Sequence, residues 1–140
     1  MQDNPVLAII GGSGLYAMNG LTDTEDVNIR TTFGKPSAPI IIGSLEGKKV
    51  AFLARHGIGH HISPSALNSR ANIYAIKSLG VKHIVSISAC GSLREDYAPG
   101  CIIIPDQLFD FTRGRKLTFF RKGIVSHVSV ADPFCSALSD

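Results

Sequence analysis

Val50 to Ala54 is an unbroken apolar run that stops at Arg55-His56-Gly57, with His60 and His61 close behind. This stretch limits the fold more than any other. A short apolar run without alternation suits a strand buried on both faces, and such strands belong to parallel or mixed sheets covered by helices. A strand of this kind delivers polar chemistry where it ends, at the carboxyl edge of the sheet. Arg55 then offers a planar fork of N–H donors on a rigid element. That shape suits phosphate or carboxylate, and the neighbouring imidazole can donate or accept one bond more. Two readings fit: an oxyanion pocket, or an arginine paired with a structural acid beside histidines that close a loop.

The pattern recurs. Val6 to Ile10 opens into Gly11-Gly12-Ser13-Gly14, and His83-Ile84-Val85-Ser86-Ile87-Ser88 opens into Ala89-Cys90-Gly91-Ser92. In a parallel or mixed sheet these ends can lie on one edge, where hydroxyls, backbone N–H groups and a guanidinium can surround a tetrahedral anion. Each loop alone is also what steric need for small residues produces.

The intervening sequence supplies the cover. Phe33-Gly34-Lys35-Pro36-Ser37 is a turn, and Pro39 to Gly43 and Lys49 to Ala54 form a hairpin about Glu46-Gly47-Lys48. Ser63-Pro64 gives an N-cap and a proline at the first helical position; Leu67, Ala71, Tyr74 and Ala75 make one stripe, and Gly80 ends the helix. Val81 to Ser88 returns as a buried strand through a right-handed crossover. Met18 to Asp23 reads as turn. Cys101 to Pro105 reads as a further strand, Phe111 to Lys122 as a basic, aromatic segment without period, and Val125 to Val130 as a short strand holding His127. Asp132-Pro133-Phe134-Cys135 starts a helix. The expected class is α/β, a twisted mixed β-sheet flanked by helices, in one domain over residues 1–140.

Other chemistries fit less well. Gly12-Ser13-Gly14-Leu15-Tyr16-Ala17 has the form GxGxxA, but turn residues follow where a helix is needed, and Asp23, Glu25 and Asp26 come too early to meet a ribose. Gly43 to Lys49 is one residue short of a Walker A loop and lacks its Ser or Thr. The three cysteines, Cys90, Cys101 and Cys135, have no CxxC spacing and read as reduced core residues, with a catalytic thiol at Cys90 as the sharper alternative. His60-His61 has no metal-ligand context. With 44% apolar residues, 18% charged and a net charge of +3 scattered along the chain, neither nucleic acid nor membrane is an expected partner. Met1 to Pro5 has no signal-peptide pattern, so the expected location is cytoplasmic.

Six blocks carry a resemblance. Ile9-Ile10-Gly11-Gly12-Ser13-Gly14-Leu15, Phe33 to Ser37, Leu53-Ala54-Arg55-His56-Gly57, Ala71-Asn72-Ile73-Tyr74-Ala75-Ile76-Lys77, Ala89-Cys90-Gly91-Ser92-Leu93-Arg94-Glu95 and Pro133-Phe134-Cys135 stand in family order. The chain resembles the N-terminal half of the 5′-methylthioadenosine phosphorylases, within the trimeric purine nucleoside phosphorylase group. The resemblance implies that fold, and phosphate contact by Ser13, Arg55, His56, the Ser88 hydroxyl and the Ala89 N–H. It implies that Cys90 and His127 meet the substrate, His127 reaching the alkylthio end of a nucleoside held mainly by a neighbouring subunit of a homotrimer. Inorganic phosphate is then a co-substrate, with no organic cofactor or metal. The acid that protonates the departing purine is expected beyond Asp140. Phe111 to Ser126 departs from the animal pattern, which leaves adenine against hypoxanthine and methylthio against hydroxyl open. A non-catalytic phosphate-binding half is the rival reading.

Overall fold

The structure, a computed structural model, describes residues 4–12, 15, 19–120 and 123–140. The chain divides into two units, Met1–Ala89 and Cys90–Asp140.

The first unit is built on a five-stranded sheet. Its strands are β1 (Leu7–Gly11), β2 (Leu21–Val27), β3 (Ile40–Leu45), β4 (Lys48–Ala54) and β5 (His83–Ser86), in the order β2-β3-β4-β1-β5. β1 is parallel to both β4 and β5, while β3 is antiparallel to β2 and β4, so the sheet is mixed as expected. The hairpin turns on Glu46 and Gly47, both at positive φ (49° and 75°), the pairing a tight primed turn requires.

Period-two alternation divides the core between the two sheet faces. Ala8, Ile10, Ala51 and Leu53 point to one face and cluster with Ile40, Ala75, Ile76 and Val81, bringing in the helix α1 (Ser69–Ser78). Ile9, Phe52 and Ala54 point to the other, where Leu15, Ala38, Ile41 and Leu45 pack on them. β1 and β4 are therefore covered on both sides, which is what their unbroken apolar runs require. Burying a side chain such as Leu53 or Ile76 is worth about 1.5–3 kcal/mol, so these central strands anchor the unit.

Several expectations need correction. Leu21–Val27 is a strand, and it takes in Leu21 to Asp23 from the Met18 to Asp23 stretch read as turn; its residues Leu-Thr-Asp-Thr-Glu-Asp-Val give no apolar face, and pairing with β3 holds it in place. The helix begins later than Ser63. Pro64–Ala66 makes a single 3₁₀ turn, Ser63 makes no side-chain cap bond, and Asn68 is the real N-cap, its Oδ1 accepting from the Ala71 N–H at 3.2 Å. Gly80, at φ 88°, closes the helix where the sequence places it. The strand expected over Val81 to Ser88 forms as β5 and pairs with β1, yet it is not buried: all four of its residues are exposed, because β1 is its sole ladder partner among the described residues.

The second unit holds little regular structure. Neither 101–105 nor 125–130 forms a strand; Ile102 and Val128 are 90% and 82% exposed, and a lone extended segment without ladder partners does not persist as β-structure. The expected helix is one turn, α2 (Ser136–Ser139), with Cys135 at its N-cap. Cys90, Cys101 and Cys135 are all exposed, not core residues. Local polar contacts order the segment. Arg94 grips Asp96 with Nε and Nη2 at 2.9 and 2.6 Å and lies over Tyr97, and this contact holds the Asp96 carboxyl below the usual carboxylate range. The Thr112 hydroxyl and N–H do the same for Asp110. Among the described residues no helix is long and apolar enough to cross a membrane.

Candidate functional site

Three parallel strands end together. Gly11 stands opposite Ala54 and Ile10 opposite Ser86, so β1, β4 and β5 finish at one edge of the sheet. The ladder runs one residue further on both sides of β1: Arg55 N–H donates to Gly11 O at 2.9 Å, and Ile87 N–H donates to Ile10 O at 2.9 Å. Backbone bonds thus fix where Arg55 leaves the sheet and where Ser88 and Ala89 begin.

Beyond Ala54 the chain turns sharply. Gly57 N–H donates to Ala54 O, His60 N–H to Gly57 O and Ile62 N–H to His56 O, all between 3.0 and 3.1 Å. Gly57 sits at φ 75°, and a Cβ there would strike the His61 ring, so the position needs glycine for backbone and for space. The turn folds His56 inward and leaves His60 and His61 exposed. His56 is buried, its ring 4.5 Å from that of His60, and its Nδ1 lies 2.9 Å from Ile62 O. His61 meets Ile58 O through Nδ1.

Arg55 is half-buried and its Nε donates to His56 Nε2 at 3.2 Å. Its terminal nitrogen Nη2 lies against the loop after β1, 3.9 Å from where a Cβ on Gly12 would be. Among the described residues Arg55 has no carboxylate partner; the ion pair they contain is Arg94–Asp96. The structural-acid reading of Arg55 therefore has no described acid to support it. What remains is a half-buried cation, one edge held by an imidazole and the terminal edge beside a glycine loop. Chemically, such an arrangement has the donors to hold a small oxyanion.

Of the residues expected in the site, Arg55 and His56 are in direct contact, and Ser88 and Ala89 are exposed just past β5 at the same sheet edge. Ser13 lies outside the described residues. Cys90 and His127 belong to the second unit, both exposed. Sequence reasoning missed the supports. Ile62 contributes a carbonyl, which leaves no signature in a side-chain pattern. Asn68 and Asn72 had a signal in their chemistry, since asparagines on a helix bond backbone readily. Asn68 Nδ2 donates to Phe33 O at 2.7 Å, while Asn72 accepts from Ser37 N–H at 2.8 Å and donates to Ser37 Oγ at 3.0 Å.

Residues 6–140 match the family described as the Phosphorylase superfamily. The chain is 58% identical to S-methyl-5′-thioadenosine phosphorylase of Chloroflexus aurantiacus over 96% of its own length and 47% of that protein. Against the protein of the same name from Hyperthermus butylicus, identity is again 58%, over 94% of the chain and 48% of the relative. Among solved structures, a methylthioadenosine phosphorylase from an antarctic soil metagenomic library superposes with a TM-score of 0.93 at 52% identity, covering 99% of this chain and 48% of that one. The methylthioadenosine phosphorylase of Schistosoma mansoni in complex with tubercidin gives 0.89 at 40% identity, covering 95% and 50%. The chain thus spans about half the length of the relatives it matches.

Proposed function

This chain belongs to the Phosphorylase superfamily and has its nucleoside phosphorylase fold, and from that premise we propose that it carries the phosphate-holding part of an S-methyl-5′-thioadenosine phosphorylase. The observation that carries the reading is Arg55, held at the end of β4 between His56 and the Gly12 loop with no described carboxylate partner. Ser13, His56, Ser88 and the Ala89 N–H complete the phosphate group in this reading. Phosphorolysis of a nucleoside passes through a ribosyl cation-like state as the purine leaves, and phosphate attacks the anomeric carbon from the opposite side. The protein must hold a dianion beside growing positive charge. Arg55 supplies charge-assisted bonds, each worth about 1.5–3 kcal/mol net, and the smaller groups orient the phosphate. Cys90 and His127 meet the nucleoside, His127 from a neighbouring subunit of a homotrimer. No metal or organic cofactor takes part. Protonation of the purine falls beyond Asp140, in the stretch of the relatives this chain does not span.

Two measurements test this. Calorimetry is expected to show phosphate binding by the 140 residues and no binding of methylthioadenosine. Adenine release, followed with and without phosphate, is expected to be absent for the 140 residues and phosphate-dependent for a protein that also carries the relatives' remaining half. A chain that binds no phosphate sinks the reading, and phosphate-independent adenine release would make the activity hydrolytic.

A further inference from the structure

We propose that Lys35 is a further cation of the anion site, drawing the anion toward Arg55 through space. The inference rests on the phosphate reading of this sheet edge. It is carried first by where the strand register puts the segment between β2 and β3. Val27 pairs with Ile40, and Ile41 pairs with Phe52, so β2 ends and β3 begins at the edge where β4 ends. Residues 28–39 therefore run along the edge that Arg55 leaves, and β3, which they enter, lies directly beside β4.

Two clamps bracket Lys35. Two residues before it, Phe33 O accepts from Asn68 Nδ2 at 2.7 Å, and two residues after it, Ser37 N–H donates to Asn72 Oδ1 at 2.8 Å. The Phe33 ring meets Tyr74 edge-on at 5.5 Å, and the Arg70 guanidinium lies 5.1 Å from its centre. Thr31 closes the turn from within, its hydroxyl donating to Gly34 O at 2.7 Å. The backbone that carries Lys35 is thus pinned to α1, while Lys35 itself is exposed. A pinned backbone keeps the charge near the edge.

The distribution of charge in the first unit points the same way. The stretches that begin or end at this edge, 12–20, 28–39, 55–68 and 87–89, contain no Asp or Glu, yet they carry Arg30, Lys35 and Arg55. Asp23, Glu25 and Asp26 stand on β2, and Glu46 is in the turn between β3 and β4, at the other end of the sheet. Asp26, the acid nearest the edge, is on the outermost strand, two places from β4. Charge of one sign gathered beside an apolar core raises the local concentration of the opposite ion. Lys48 supplies a matched comparison, since it begins β4 and is separated from Arg55 by the length of that strand, about 20 Å.

The experiment measures sulfate binding by the 140-residue chain at one neutral pH and several salt concentrations; sulfate is a dianion throughout. An ammonium about 10 Å from a dianion changes affinity about two- to threefold at about 10 mM salt and hardly at all at about 1 M, where screening sets in within about 3 Å. Lys35→Gln is expected to show that loss and that salt dependence, and Lys35→Glu about the square of it, four- to ninefold, because the charge change doubles. Lys48→Gln is expected to cost less than about 1.3-fold at the same low salt. Lys35→Arg, which keeps the charge, is expected to bind as the native chain does. An equal loss from Lys35→Gln and Lys48→Gln, a Lys35→Gln loss that persists at high salt, or a loss from Lys35→Arg as large as from Lys35→Gln overturns this inference alone. A native chain that binds neither sulfate nor phosphate overturns the phosphate reading and this inference with it.

Discussion

At the scale of single residues, Arg55 and Gly57 make separable demands. Lysine at position 55 keeps the charge but loses the Nε donor that His56 receives and the two-pronged terminal edge. Arg55→Lys is expected to lower phosphate affinity of the chain about tenfold or more, and, in a protein that turns over methylthioadenosine, to raise the phosphate KM with little change for nucleoside. Equal effects on both substrates would show a structural arginine. Gly57 tests the turn behind it. Alanine there takes on a left-handed backbone at about 1–2 kcal/mol and also drives a methyl group into the His61 ring. Gly59 has nearly the same φ, 79°, with nothing near its missing Cβ, so Gly59→Ala carries the backbone cost alone. Thermal melts are expected to place Gly57→Ala well below Gly59→Ala, and only Gly57→Ala is expected to weaken phosphate, because its turn brings Ile62 to His56. Equal melting losses would mean the His61 ring yields freely.

At the scale of elements, the segment before β3 is fastened to α1 by two asparagines one turn apart on the helix. Asn72 is 4% exposed and answers both the N–H and the hydroxyl of Ser37, while Asn68 caps the helix and binds Phe33 O. Asn72→Ala removes both bonds and leaves the part-buried Ser37 N–H without its acceptor, at an expected cost of about 1–3 kcal/mol in denaturant unfolding. A change within a few tenths would show that water replaces the side chain. These contacts also explain why some elements could be read from sequence and others could not. β1 and β4 were readable because burial on both faces writes an unbroken apolar run, and the Glu46-Gly47 hairpin because its turn needs positive φ. β2 was not, since an exposed strand held by its ladder carries no apolar period. The true start of α1 was hidden because Ser63-Pro64 mimics a cap that Asn68 supplies. At the site, Arg55 and His56 stood out as polar residues ending an apolar run, whereas the Ile62 carbonyl 2.9 Å from His56 Nδ1 had no side chain to announce it.

At the scale of the whole molecule, the question is what the exposed apolar groups do. β5 is an apolar strand with one ladder partner among the described residues, and Ile84 and Val85, which point to opposite faces, remain 37% and 38% exposed. Phe109 and Val125 in the second unit are 86% and 81% exposed. Sequence reading placed β5 as a buried strand and 101–105 as a further strand because apolar runs normally are covered strands; a run alone does not say which chain supplies the cover. An open edge offers N–H and C=O groups to another strand, and contiguous apolar surface beyond a few hundred Å² favours association. The 140-residue chain is therefore expected to associate as its concentration rises through the micromolar range, seen as a rising weight-average mass in sedimentation velocity. Val85→Lys places a charge on the edge strand, the means by which natural sheets resist edge pairing, and is expected to shift the chain toward monomer. The substitution is far from the Arg55 turn in sequence and touches neither partner of His56, so phosphate affinity is expected to survive it. A native chain that stays monomeric at all concentrations would show that its exposed apolar groups are too dispersed to bind, and an associating chain that Val85→Lys leaves unchanged would move the contact from β5 to other exposed apolar residues.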